Sequence, residues 1–206
     1  MLSYEWMGVV PYEVAFKGQK ENHKNKTSVI WGLEHPLVVT VGRREVKNFN
    51  INQSAQSLQK FSFPIVETDR GGQLTLHNEG QLIIYPQFDL LKFNLGVKKY
   101  VEILLLTTES TLQLFNVNCF IDFKEGGVFT KKGKIASVGL RVQSYWVYHG
   151  LAINVKNDLS PFQFISACGV WNRPQDKMQN WNLDFIDTSI IFNTWISEFF
   201  KHLNKY

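Results

Sequence analysis

Residues 133–169 read GKIASVGLRVQSYWVYHGLAINVKNDLSPFQFISACG, and the reading of this stretch decides the fold. Two apolar segments, 135–142 and 148–155, read as strands. The cluster Asn157, Asp158, Leu159, Ser160, Pro161 is a dense turn that delivers the chain to Cys168 on a loop. Lys134 stands at the start of the stretch and Cys168 near its end. A thiol attacks as the thiolate, and a nearby cation favours that form. A lysine and a cysteine brought together therefore make an acyl-transfer centre. Spacing alone does not bring them together. On the residues alone, Cys168 reads first as a small core hydrophobe and Lys134 as a surface lysine.

Outward from this stretch, 206 residues suit one domain, taken as 1–206, and 44% apolar residues suffice for a full core. The longest apolar runs are broken by charge and fall short of the ~20 residues that span a bilayer. The opening MLSYEWMGVV has no basic segment followed by an apolar one, so no secretion signal is expected. Two cysteines, Cys119 and Cys168, give no disulfide framework, and both are expected to be reduced, in the cytoplasm. Cys119 sits among apolar residues and reads as an inert buried thiol. A net charge of +4 is mild. Without an arginine-rich tract or a nucleic-acid module, no nucleic-acid partner is expected. No His, Cys, Asp or Glu cluster has metal-ligand spacing, so neither metal nor other cofactor is expected.

In chain order, 11–25 reads as a short helix fading into a solvated polar loop, KGQKENHKNK. Residues 27–33 and 37–42 read as strands. Arg43 and Arg44 follow, either as a solvated strand end or as an attraction for an anionic carrier. Residues 49–61 are polar with a helical tendency, and 64–67 is a short strand. The turn through Arg70, Gly71 and Gly72 lets another group approach its backbone. Residues 81–85 read as a buried strand closed by Pro86. The clearest helix is 97–115, with Asn94 as N-cap and a core stripe of Val97, Val101, Leu104, Leu105, Thr108, Leu112 and Phe115. Short strands at 118–123 and 127–131 surround a hairpin-like turn. Trp171, Trp181 and Phe185 read as aromatic anchors, and 188–203 as a final amphipathic helix. The irregular alternation of strands and helices points to a single α+β domain.

The pieces LEHP at 33–36, VGRR at 41–44, RGGQLTLH at 70–77 with GQLIIYPQFDL at 80–90, GKIASVGLRV at 133–142, and HGLAINVKNDLSPF at 149–162 with ACG at 167–169 form an ordered series. In that order they resemble the octanoyltransferases of lipoate biosynthesis. The resemblance implies an α+β mixed-sheet domain like the catalytic domain of biotin protein ligases and lipoate ligases. It implies Cys168 as the nucleophile that takes octanoyl from acyl carrier protein. Lys134 is implied as the partner that stabilises the thiolate and then takes a proton from the incoming lysine. The donor is octanoyl-acyl carrier protein. The acceptors are lipoyl domains of 2-oxoacid dehydrogenase complexes and the glycine cleavage H protein. Arg70, Gly71, Gly72, Gln73, Leu74, Thr75, Leu76 and His77, together with Ser137, Val138, Gly139, Gly150, Leu151 and Ala152, are implied to surround the acyl chain and the reactive carbonyl. His77 and His149 rank below Lys134 as bases and read as pocket or orienting groups.

The sequence departs from the family pattern at Asn78 and Glu79, where glycine and proline are usual, and at Val147, where threonine is common. It also lacks the threonine-serine-leucine element after Gly169. Glu79 would place a carboxylate near an apolar pocket. Two other readings compete with the transferase. An ATP-dependent lipoate ligase has no use for a cysteine at 168. A non-catalytic binder of acyl groups or carrier protein would account for the departures. An unrelated cysteine hydrolase is not supported by any Gln/Cys/His pattern.

Overall fold

The two strands of the decisive stretch lie side by side in a large sheet. The computed structural model describes residues 2–43, 63–165, 174–181 and 187–205. In chain order these form β1 (Ser3–Val9), α1 (Tyr12–Asn25), β2 (Val29–Glu34), β3 (Val38–Val41), β4 (Ile65–Glu67), β5 (Leu74–His77) and β6 (Gln81–Asp89). There follow α2 (Val97–Leu114), β7 (Phe120–Asp122), β8 (Gly127–Thr130), β9 (Gly133–Gln143), β10 (Trp146–Asn154) and α3 (Thr188–Leu203). Seven strands form one sheet in the order β1-β2-β6-β10-β9-β8-β7, parallel only between β1 and β2. A smaller sheet has the order β4-β3-β5. The Trp171 and Phe185 anchors, Arg44 and the 49–61 segment lie outside the described residues.

Side chains alternate across a strand, so β6 and β10 feed both faces of the large sheet. Leu82, Ile84, Phe88, Val147, Leu151 and Ile153 meet Tyr100, Ile103 and Leu104 of α2 and Phe192, Trp195 and Phe199 of α3. On the other face Ile83, Tyr85 and Ala152 meet Ala15 of α1. The small sheet has its own core of Val39, Val41, Leu74, Leu76, Phe162 and Ile165. Cys119 is buried, and burial pushes its thiol up to about 12.

Several sequence expectations need correction. Helix α1 does not fade at Lys17. It runs on to Asn25, and its buried positions are Tyr12, Ala15 and Gln19. The polar run carries no apolar period because Gln19 and Gly18 occupy the inward face. A side chain at Gly18 would stand 2.8 Å from the Trp31 ring. Strand β6 does not close at Pro86 but continues to Asp89. Helix α2 is capped by Gly96, whereas Asn94 adopts φ 52° and closes a 3-10 turn at Leu90–Phe93. Val97 is exposed, and the buried stripe is centred on Tyr100, Ile103 and Leu104. Thr108 and Thr111 belong to that stripe because their hydroxyls donate to the carbonyls of Leu104 and Thr107, both at 2.8 Å.

Pro86 is tolerated within a central strand because the facing ladder is interrupted there. Pairing between β10 and β6 holds at Val147 with Phe88 and at Leu151 with Ile84, and lapses between them. Pro86 has no N–H to give. Opposite it, the His149 N–H donates instead to Gln19 Oε1 at 2.7 Å. Gly150 lets the backbones close up beside this gap: a Cβ there would stand 1.9 Å from the Ile84 oxygen. Gly150→Ala is expected to destabilise the protein by at least ~2 kcal/mol through overpacking against main chain. Denaturant unfolding checks this, and an unchanged midpoint would show that the two strands part easily.

Candidate active site

Two local departures from regular strand geometry bring chemistry-bearing side chains onto the sheet face that carries α1 and the small sheet. The first is at Lys134. Val128 pairs with Ala136 but Phe129 pairs with Lys134, so Ile135 is an extra residue, a β-bulge. Ile135 and Ala136 both enter the core on the helix side. Lys134 thereby shares a face with Phe129, Gly127 and Ser137 rather than with Ala136. Gly127 makes room for it, since a Cβ at Gly127 would lie 2.4 Å from Lys134 Cε. Lys134 is 2% exposed; its Nζ donates to the Glu125 carbonyl at 3.3 Å and lies 5.4 Å from the Phe129 ring centroid.

The second departure is at His149. Alternation along β10 would send it to the helix layer with Val147 and Leu151. With φ 55° it turns the other way, stacking on Phe16 of α1 at 5.2 Å. Its Nε2 lies 2.8 Å from Asp69 Oδ1. Burial lowers the His149 pKa, with Asp69 working against that shift, so the ring is neutral at pH 7 and Nε2–H donates to the carboxylate.

On this face lies a cleft of about 540 Å³, measured out to open solvent. It is bordered by Arg70, Gly71, Gly72, Gln73, Leu74, Thr75 and His77, by Ser137, Val138 and Gly139, and by Gly150, Leu151 and Ala152. Tyr12, Ile83, Tyr85 and His149 complete it. Leu76 does not border it; its side chain packs in the small-sheet core. Lys134 is not among the bordering residues either; it stands three residues from Ser137 along β9, about 10 Å of strand. Cys168 lies outside the described residues. The main chain of Lys134 is held by the segment that resumes at Pro174, six residues beyond Cys168. Its N–H donates to the Pro174 carbonyl and its own carbonyl accepts from Asp176 N–H, both at 2.9 Å.

The walls of the cleft are rigidly bonded. Arg70 Nη2 donates to the Thr40 carbonyl at 2.7 Å and to Thr40 Oγ1 at 2.8 Å. Gly71 N–H donates to the Leu140 carbonyl at 2.7 Å, which lays the turn on β9. His77 Nδ1 lies 2.7 Å from Gln81 Oε1; burial pushes its pKa down to about 3, so the ring is neutral and donates there. Neutral His35 donates through Nδ1 to the Val10 carbonyl at 2.6 Å and accepts from the Tyr85 hydroxyl at 2.9 Å; burial takes its pKa to about 4. Burial raises Tyr12 to about 12. The titratable groups bordering the cleft are thus uncharged at neutral pH apart from Arg70, which suits an apolar, uncharged ligand. Among the described residues no group of three or more His, Cys, Asp or Glu side chains is placed to hold a metal ion.

The departures at Asn78, Glu79 and Val147 fall away from the cleft. Glu79 is exposed and does not border it. The left-handed backbone position in this turn is Gly80, at φ 84°, and not Asn78. The Asn78 side chain instead donates to the Asp158 carbonyl at 2.8 Å and accepts from Asn157 Nδ2 at 3.0 Å. Val147 points into the helix layer. Beyond Gly169, buried Asp176 accepts from Thr130 Oγ1 at 2.6 Å, Asn180 Nδ2 at 2.7 Å and Trp181 Nε1 at 2.8 Å. Burial opposes its ionisation, but these donors outweigh that and hold the carboxyl below its usual range. Of the cleft residues that the sequence left out, Tyr12 carried no signal. His35, which buttresses Tyr85, lay within the quoted LEHP.

The family model described as the lipoyl protein ligase A/B catalytic domain matches residues 13–184. The chain belongs to this family. Among its family relatives is the octanoyltransferase of Wigglesworthia glossinidia brevipalpis, 38% identical over 174 residues, covering 82% of this chain and 77% of that protein. Another is the octanoyltransferase of Neisseria meningitidis serogroup C, 37% identical over 166 residues, with 79% and 77% covered. A solved structure of lipoate-protein ligase A bound with ATP has a TM-score of 0.76 at 11% identity, covering 98% of this chain and 85% of that one. Biotin protein ligase from Aquifex aeolicus has a TM-score of 0.59 at 11% identity, covering 98% and 69%. At such low identity these structures share the fold alone: an α+β domain with a mixed sheet. The bulge at Ile135 and the left-handed His149 are the backbone features that shape the candidate site.

Proposed function

We propose that the protein is an octanoyltransferase that moves octanoyl from acyl carrier protein to a lysine of lipoyl domains, the first step of endogenous lipoate biosynthesis. The observation that carries this reading is a cysteine, Cys168, in a family chain whose relatives at 37–38% identity are octanoyltransferases. A cleft whose bordering titratable groups are uncharged apart from Arg70 supports it.

In the first step the Cys168 thiolate attacks the donor thioester carbonyl. A new C–S bond forms, the carbonyl's bond to the phosphopantetheine sulfur breaks, and the departing thiolate takes a proton from the Lys134 ammonium, which becomes the free amine. In the second step the acceptor lysine amine attacks the acyl-enzyme, forming the amide C–N bond. Lys134, as the free amine, takes the amine proton, and Cys168 leaves as thiolate. Splitting the transfer in two keeps each step within reach of one nucleophile. The lipoyl domains of 2-oxoacid dehydrogenases and of the glycine cleavage H protein are the acceptors.

Because the thioester carries the activation, transfer from octanoyl-acyl carrier protein to an isolated lipoyl domain is expected to proceed without ATP or magnesium. Mass spectrometry of the lipoyl domain reads this directly. Strict dependence on ATP, with free octanoate as donor, would make the protein a ligase. Absence of transfer under both conditions would leave a binding module.

A further inference from the structure

The turn that walls the cleft is tied down from outside by one carboxylate. Asp69 precedes Arg70, Gly71 and Gly72. Its Oδ1 accepts from His149 Nε2 at 2.8 Å, and its Oδ2 accepts from Lys20 Nζ and from the Tyr148 hydroxyl, both at 2.5 Å. Lys20 Nζ also donates to the Tyr148 oxygen at 2.9 Å, and lies 4.8 Å and 4.5 Å from the ring centroids of Phe16 and Tyr148. Three elements far apart in sequence thus meet on one side chain: α1 through Lys20, β10 through Tyr148 and His149, and the cleft turn through Asp69 itself. Neither Asp69, Lys20 nor Tyr148 borders the cleft, but Arg70, which follows Asp69, and His149, which follows Tyr148, do.

We propose that Asp69 is a positioning residue, which latches the turn carrying Arg70, Gly71 and Gly72 to α1 and β10 and so sets the width of the acyl cleft. The proposal rests on the acyl-transfer reading above for its substrate, but not for its geometry. The partners of Asp69 are unequal. His149 is buried, whereas the side chains of Asp69 and Lys20 are 29% and 42% exposed. A partly exposed ion pair adds little to global stability. Losing it therefore acts on the wall and not on the fold. In Asp69→Asn the amide still accepts from His149, but its N–H₂ faces two donors, Lys20 and Tyr148, so the latch opens on that side.

The test compares parent, Asp69→Asn, Asp69→Glu and Lys20→Met. Hydrogen exchange of the amides at 71–74, one of which donates to Leu140, is expected to quicken about tenfold in Asp69→Asn, with β6 amides unchanged. The KM for octanoyl-acyl carrier protein should rise about tenfold with kcat within about twofold, and the preference for octanoyl over dodecanoyl donors should relax. Lys20→Met should move the same quantities less, and Asp69→Glu should restore part of the preference. Unchanged exchange at 71–74 overturns the latch whatever the reaction is. Unchanged KM and chain-length preference, in a parent that does transfer octanoyl, overturns its role in the cleft. A parent without transferase activity refutes the proposed function, and the exchange measurement then still decides the latch.

Discussion

Octanoyl transfer is expected to fall by at least about 10³-fold when Cys168 is replaced by alanine or serine. Removing a covalent nucleophile takes away the intermediate and the lower barriers on either side of it, and such losses are among the largest that single substitutions cause. Serine is the sharper variant. It keeps the size of the side chain but remains protonated near neutral pH, where a thiol with a nearby cation does not. Cys119 provides the internal control. Buried, with its thiol held protonated to about 12, it should neither alkylate at pH 7 nor affect turnover when changed to alanine. Transfer rates measured with octanoyl-acyl carrier protein and an isolated lipoyl domain check the prediction. A Cys168→Ala variant within tenfold of the parent would refute the covalent mechanism.

The second large effect is at Lys134. Lys134→Met keeps much of the buried stem while removing the ammonium. It should slow transfer by about 10²- to 10⁴-fold, the range for loss of a positioned acid or base. It should also move the alkylation of Cys168 by iodoacetamide to higher pH. A cation stabilises the thiolate and leaves the thiol form untouched, so the direction of the shift follows. Lys134→Arg separates the two roles. Arginine retains the charge but does not release its proton. Enzyme acylation should survive better in this variant than transfer to the lipoyl domain. Gly127 leaves room shaped to the lysine stem, so thermal midpoints of both variants should be recorded alongside. If both variants alkylate and turn over like the parent, Lys134 has no part in the chemistry.

The comparison between these two residues shows what the amino-acid pattern carries and what it conceals. The paired strands at 133–143 and 146–154 and the helix at Thr188–Leu203 were legible because their apolar periodicity is set by burial on a defined face. The cleft turn at 70–72 was legible as a close backbone approach, whereas strand β5 at Leu74–His77 was not read from the sequence. What stayed hidden came from places where periodicity misleads. Simple alternation puts Lys134 on the helix side with Ala136 and Val138, and only the extra Ile135 in the β8–β9 ladder reverses it. His149 escapes alternation through a left-handed backbone that its neighbours Gly150 and Pro86 make tolerable. Helix α1 was cut short because its inward face is polar at Gln19, whose Oε1 accepts the His149 N–H where the β6–β10 ladder lapses. Lys20 looked like a solvated charge for the same reason, although its partner Asp69 is 49 residues away.

The most direct test of the account is the intact mass of the protein after brief exposure to octanoyl-acyl carrier protein, with no ATP and no lipoyl domain present. The expected spectrum shows a gain of one octanoyl group. That group is released by hydroxylamine, maps to the peptide containing Cys168 and is absent from Cys168→Ala. It should also disappear on addition of a lipoyl domain, which gains the same mass. An unmodified protein that nevertheless acylates the lipoyl domain, or an adduct that persists in Cys168→Ala, would contradict it.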